Sequence, residues 1–198
     1  MTPRRRSFLT AIFSALFASS ARGESPRPSS AIIDDLSAPP PQASIGSEWR
    51  LFTDAVMGGV SRGTMTRETV AGRTAIRLRG KVSLENNGGF VQMALDLLPD
   101  GAPIDASQWR GVEIDVYGNG EDYALNLRTS DLTRPWQSYR QTFRAAQRWE
   151  TVRLPFESFV PSRTETPLNT RRLRRLGVIG IGRQFDADVA IGGVKFFR

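Results

Sequence analysis

Three stretches of this chain alternate apolar and polar side chains with a period of two. Residues 74–79 set Ile76 and Leu78 against Arg77 and Arg79. Residues 111–116 set Val112, Ile114 and Val116 against Glu113 and Asp115, and residues 123–128 set Tyr123, Leu125 and Leu127 against Asn126 and Arg128. That period puts successive side chains on opposite sides of an extended backbone, so each stretch predicts a strand with one buried face. Further strands are predicted over residues 89–95, 136–144, 149–154, 177–181 and 189–197, with a short first strand at 32–36 before Pro39, Pro40 and Pro41 interrupt it. Turn signals such as Asn87-Gly88, Asp100-Gly101 and Asn119-Gly120 separate them. Only residues 170–176 suggest a helical turn or two, and the cluster Arg171, Arg172, Arg174 and Arg175 within them reads as a solvated turn or short helix. About nine or ten short strands at this spacing predict an all-β chain folded as a β-sandwich or jelly roll.

Length and composition allow one such domain: 198 residues with 39% apolar content close a single core. The chain contains no cysteine and no histidine. Disulfides, the usual zinc ligands, thiol and Ser-His-Asp nucleophilic systems and the commonest neutral-pH general base are thereby excluded. The formal charge of +7 is concentrated at the N-terminus. Arg4, Arg5, Arg6 and Arg22 stand in an acid-free segment of 23 residues, and of 27 bases the remaining 23 face 20 acids, leaving +3. No concentrated basic stripe remains to bind nucleic acid.

The first 23 residues read as a cleaved secretory signal: Arg4 to Arg6, an apolar run over 11–18, then small residues ending at Ala21 and Gly23. The run is too short for a permanent span, which needs about 20 apolar residues, so no transmembrane anchor is expected after cleavage. Arg5-Arg6 followed by Ser7, Phe8 and Leu9 is similar to the twin-arginine signal, which exports folded proteins to the periplasm or beyond. An arginine-rich, acid-free start also fits a mitochondrial transit peptide, but bunched arginines ahead of an unbroken apolar block favour export. Residues 24–30, polar and proline-bearing, read as a disordered leader, and residues 31–198 as the domain.

Two glycine clusters stand out as candidate binding loops. In the first, Asp54, Met57, Gly58, Gly59 and Ser61 lie within one short run. Paired glycines permit sharp turning or close backbone approach, and Asp54 and Ser61 can bond the amides that such a turn exposes. In the second, Asn87, Gly88 and Gly89 precede Phe90. Both also read as shaped corners of a sheet. A further candidate surface combines Asn126, Arg128, Trp136 and Tyr139, with Gln141 nearby, provided that these side chains point outward.

Trp49, the two glycine clusters at 54–61 and 87–90, residues 123–128, Trp149, the Leu154-Pro155-Phe156 run, Phe159 with Pro161, and residues 176–181 resemble in order and content the complex I intermediate-associated protein family. The resemblance spans nearly all of residues 31–198. It implies a galactose-binding-like jelly-roll β-sandwich and a non-catalytic factor that helps assemble the respiratory NADH:ubiquinone oxidoreductase, so a protein partner within that membrane complex. An exported sandwich of this kind could alternatively be a periplasmic carbohydrate-binding protein, taking a glycan on an open sheet face. An enzyme would have to rely on carboxylates such as Glu113, Asp115, Asp122 and Asp131, among which no spacing selects a pair. No cofactor is implied, and no acid spacing of the EF-hand kind marks a metal site.

Overall fold

The computed structural model describes residues 24–198; the export signal read in residues 1–23 lies outside the described residues. Two antiparallel sheets make up the fold. The front sheet is ordered β10 (Val160–Ser162), β8 (Ser138–Ala145), β7 (Glu121–Thr129), β11 (Leu173–Ile181), β5 (Phe90–Asp96) and β2 (Trp49–Thr53). The back sheet is ordered β3 (Arg62–Val70), β4 (Arg73–Val82), β12 (Phe185–Phe197), β6 (Gly111–Gly118) and β9 (Glu150–Pro155), and β1 (Ile32–Asp34) pairs onto β12. The chain is an all-β jelly-roll sandwich.

The alternation seen in the sequence builds the core. Ile76, Leu78, Val112, Ile114, Val116, Val189 and Ile191 face inward from the back sheet and meet Val91, Met93, Leu95, Leu125, Leu127, Leu176 and Val178 from the front, all of them buried. Register keeps like with like: Leu125 sits opposite Val178 and Leu127 opposite Leu176, while Val178 and Leu176 sit opposite Met93 and Leu95. Each such side chain contributes about 1.5–3 kcal/mol on burial.

Three features differ from the sequence reading. Strands β2 and β3 were not predicted; β3 is an edge strand whose only buried residue is Val70, so it shows no apolar alternation. The arginine cluster is divided: Arg171 and Arg172 sit on a 3₁₀ turn, Thr170–Arg172, whereas Arg174 and Arg175 belong to β11. Cross-strand pairing decides this, since Leu173 pairs with Thr129 and Arg175 with both Arg128 and Asp96. Residues 24–30 form no strand or helix, yet they are tied to the domain rather than free of it. The Asp105 amide donates to the Pro26 carbonyl at 2.9 Å, Arg27 Nε donates to Asp105 Oδ2 at 3.1 Å and Gln108 Nε2 donates to the Pro28 carbonyl at 2.7 Å.

One point of topology positions the functional residues. The β2–β3 loop passes from front sheet to back, and the β4–β5 loop passes from back to front, at the same end of the sandwich. Both candidate glycine loops are therefore crossovers, side by side.

Candidate functional site

The first crossover opens with a 3₁₀ turn, Asp54–Met57, closed by Gly58 in the left-handed region at φ +86°. The second contains the turn Glu85–Asn87, with Asn86 and Asn87 at φ +55° and +56° and Gly89 at φ +129°. Asp54 joins them. Its carboxylate is fully buried and accepts from the Ser61 amide at 2.9 Å, from the Ser61 hydroxyl, from the Gly89 amide and from the Phe90 amide at 3.2 Å. The Ser83 amide donates in turn to Ser61 Oγ at 3.0 Å.

The glycines follow from that carboxylate. A Cβ on Gly59 would lie 2.4 Å from Asp54 Cγ, and one on Gly88 would lie 2.5 Å from Asp54 Oδ2. Burial pushes the Asp54 carboxyl upward, but the hydrogen bonds from Gly89, Ser61 and Phe90 outweigh it and hold the group below its ordinary value. Asp54, Ser61 and Gly89, all buried, thus shape the loops, Gly59 and Gly88 are half-buried against the carboxylate, and Gly58 and Asn87 are exposed. Met57 is exposed as well, and with it stand Val56, Val60 and Leu84, which the sequence reading passed over although Val60 directly follows the glycine pair.

The second candidate surface lies on the outer side of the front sheet, and only part of it assembles as expected. Asn126 and Arg128 lie on the outer side of the sheet, opposite Gly177 and Arg175 of β11, but Asn126 is buried there and Arg128 half-buried, so Asn126 is not the open surface residue expected. Tyr139 and Gln141 do not lie on that side. Register places them opposite Leu127 and Leu125, so they share the inward face; Tyr139 is completely buried and its hydroxyl donates to the Pro167 carbonyl at 3.0 Å. The outward residue beside Asn126 is Arg140.

Arg128 has a defined task. Its guanidinium donates to the carbonyls of Arg134 at 3.0 Å, Gln137 at 2.7 Å and Pro135. These bracket Trp136, whose indole is 47% exposed. Burial, then the like charges of Arg175 and Arg174, push the Arg128 pKa down. Arg140 donates from Nε to Asn126 Oδ1 at 3.1 Å, and among the described residues no carboxylate pairs with its terminal nitrogens. Burial, then the like charge of Arg163, push its pKa down. Exposed Val160 sits opposite Arg140 on β10. The result is an indole held at the rim of a sheet face whose arginine has no acid partner.

The four carboxylates considered for catalysis are all engaged in ion pairs. Glu113 takes Arg153 at 2.7 Å and Lys195 at 2.8 Å, and Asp115 takes Arg73 at 2.8 Å and the Thr151 hydroxyl at 2.6 Å. Asp122 takes Arg144 at 3.4 Å, and Asp131 takes Arg172 at 2.9 Å. Lys195 and Arg153 hold Glu113 below its ordinary pKa. At Asp115, burial acts upward but is outweighed by Thr151 and Arg73. Ionised and paired, these two carboxylates have no proton to donate near neutral pH.

The model of the family described as Complex I intermediate-associated protein 30 (CIA30) matches residues 41–189. No curated protein matches the sequence. Among solved structures, the chain is similar to the family 11 carbohydrate-binding module of the cellulosomal cellulase Lic26A-Cel5E of Clostridium thermocellum. Identity is 12%, coverage is 85% of this chain and 94% of that one, and the TM-score is 0.65. The same family's module in complex with a β-1,3-1,4-mixed-linked tetrasaccharide gives 12% identity, coverage of 85% and 95%, and a TM-score of 0.64. The family 30 module of cellulase Cel9D-Cel44B from the same organism gives 18%, 67% and 81%, and 0.52. At these identities the likeness is one of fold.

Proposed function

This chain belongs to the complex I intermediate-associated protein 30 family, and we propose that it is a non-catalytic binding module that acts after export as an assembly or scaffolding factor. Its partner is a protein of a respiratory membrane complex, taken on the outer side of the front sheet. The observation that carries this reading is Arg128 gripping the backbone on both sides of Trp136. A charged side chain, half-buried at that position, holds an exposed indole in place, with the Arg134 guanidinium 6.0 Å from its ring centroid. Tryptophan and arginine in such a setting are the residues that dominate binding energy at protein interfaces. Export by the twin-arginine route rests on Arg5 and Arg6 ahead of the apolar run, and would bring the module to the outer face of the membrane arm.

A second reading, a periplasmic carbohydrate-binding protein, is favoured by the same indole, which could stack on a sugar ring beside Asn126 and Arg140. Tyr139 is in the core, and Phe52 and Phe90, on the outer side of the same sheet, are half-buried, Phe52 under the Arg175 guanidinium at 5.5 Å. Trp136 is thus the one exposed aromatic among the described residues of that face, and the protein partner is the better supported. A photo-crosslinking residue at position 136, with position 153 on the back sheet as control, separates the two in cells. Specific adducts to subunits of the respiratory complex from position 136 alone support the assembly role. Absence of protein adducts, with binding of a glycan on an array that Trp136→Ala abolishes, would replace it with the carbohydrate reading.

A further inference from the structure

Four of the seven exposed large hydrophobic side chains among the described residues lie at the crossover tip. Val56, Met57, Val60 and Leu84 are 73%, 53%, 41% and 51% exposed. They form one patch because Asp54 binds both loops and Ser61 and Ser83, the neighbours of Val60 and Leu84, bond each other. The loops are built around that carboxylate, so the patch is preformed.

Behind it stand two cations. Arg62 and Lys81 are directly opposite each other in the β3–β4 pair, both exposed. Like charges so placed repel; Asp186 of β12 lies opposite Lys81 on its other side, yet among the described residues neither cation forms an ion pair. They line, with Val60, Ser83, Glu85 and Gln184, a cavity of about 360 Å³. Arg62 follows Val60 by two residues of extended chain, which sets the cations roughly 7 Å behind the apolar tip. An apolar edge resting at the headgroup boundary is buried about 5–10 Å, with basic side chains at the level of the phosphates. The spacing and charge match.

We infer that the crossover tip docks on an anionic lipid surface, with Val56, Met57, Val60 and Leu84 entering the headgroup–acyl boundary and Arg62 and Lys81 binding lipid phosphates. No helix among the described residues is long and apolar enough to cross a membrane. This inference goes beyond the proposed front-face partner and does not depend on it.

The absence of cysteine makes a clean test possible. Met57→Cys in the full chain, labelled with an environment-sensitive dye, reports whether the tip itself leaves water, whatever residues 1–23 do. The expected result is a blue shift with phosphatidylglycerol vesicles and little with phosphatidylcholine vesicles, reduced by salt. Arg62→Glu with Lys81→Glu should weaken the response by on the order of tenfold or more, with melting temperature as the folding control. Trp136→Ala should leave it unchanged, so that failure here and failure of the front-face reading are distinguishable. A dye at position 57 that stays in water on both vesicles would overturn the inference and leave the tip to a protein occupant. So would an equal shift from Ser162→Cys at the far end of the front sheet, or a response indifferent to the charge reversals.

Discussion

Both outer faces of the sandwich are rich in arginine, yet, apart from Arg62 and Lys81 behind the crossover tip, they treat it differently. On the back sheet, Glu68 bridges Arg77 and Arg79, and Asp188 holds Arg77 at 2.6 Å. Glu113 sits between Arg153 and Lys195, and Asp115 holds Arg73. Trp149 lies over this face, stacked by Arg73 at 4.5 Å and donating to the Val70 carbonyl. On the front sheet Arg175 is closed by Asp96, but Arg128 turns its charge to backbone carbonyls and Arg140 meets only an amide. Charges that satisfy one another stabilise a surface and leave it inert; cations without acids, next to an exposed indole, leave work for a partner. Net composition cannot reveal the distinction, which rests on register.

The largest effect is expected where the two faces are joined. Asp54→Ala would leave the amides of Ser61, Gly89 and Phe90 without their acceptor. At about 1–3 kcal/mol per orphaned buried donor, partly relieved by water, a loss of about 3–5 kcal/mol is expected in urea denaturation. A loss below about 1 kcal/mol would show that the crossovers hold without the carboxylate. Gly59→Val and Gly88→Val should act in the same direction, because each side chain would collide with that carboxylate.

Next in size is the back face. Glu113→Ala strands Lys195 and Arg153, and about 1–2 kcal/mol of stability should go. The same ladder sets a pH dependence with a definite sign. Asp54, Glu113 and Asp115 all have folded pKa values depressed from 3.8, 4.5 and 3.8. Their contribution is complete above those unfolded values and is lost as pH falls through the lower folded ones. Urea midpoints should therefore be flat near neutrality and fall in acid, less steeply in Glu113→Gln than in the wild type; identical acid limbs would remove Glu113 from the ladder.

The smallest stability effects belong to the front face, and there they sharpen the contrast. Trp136→Ala and Arg140→Ala should change stability by no more than about 0.5 kcal/mol, since both groups are exposed or lack strong partners. Arg128→Ala should cost somewhat more and loosen residues 130–137, visible as faster amide exchange there. If Arg128→Ala leaves that loop's exchange unchanged, its three carbonyl bonds do not position Trp136.

How far the sequence could be read follows from how local each feature is. Strands β4, β6 and β7 announced themselves because each buries a run of alternate apolar residues, Ile76 and Leu78, Val112 to Val116, and Tyr123 to Leu127. Strand β3 did not, because an edge strand with Gly63 and Met65 as its inward residues carries little apolar signal. In residues 136–144 both parities carry side chains able to face either way, so the sequence could not show that Tyr139 and Gln141 pack inward while Ser138 and Arg140 face out; the pairing with Leu127 and Leu125 decides it. Asp54 was legible as a turn residue. Its bonds to Gly89 and Phe90, some 35 residues along the chain, were not, and neither was the tip that those bonds expose.

The most direct test of the central claim, that an open front face recruits a protein of a respiratory membrane complex, is complementation. A strain lacking this gene would receive the wild type, Trp136→Ala with Arg140→Glu, or Arg153→Ala on the back face, and fully assembled NADH:ubiquinone oxidoreductase would be measured on native gels at equal protein levels. The expected result is restored assembly with the wild type and with Arg153→Ala, and failure with the front-face pair. Assembly that is normal in the deletion strain, or fully restored by the front-face variant, would contradict it.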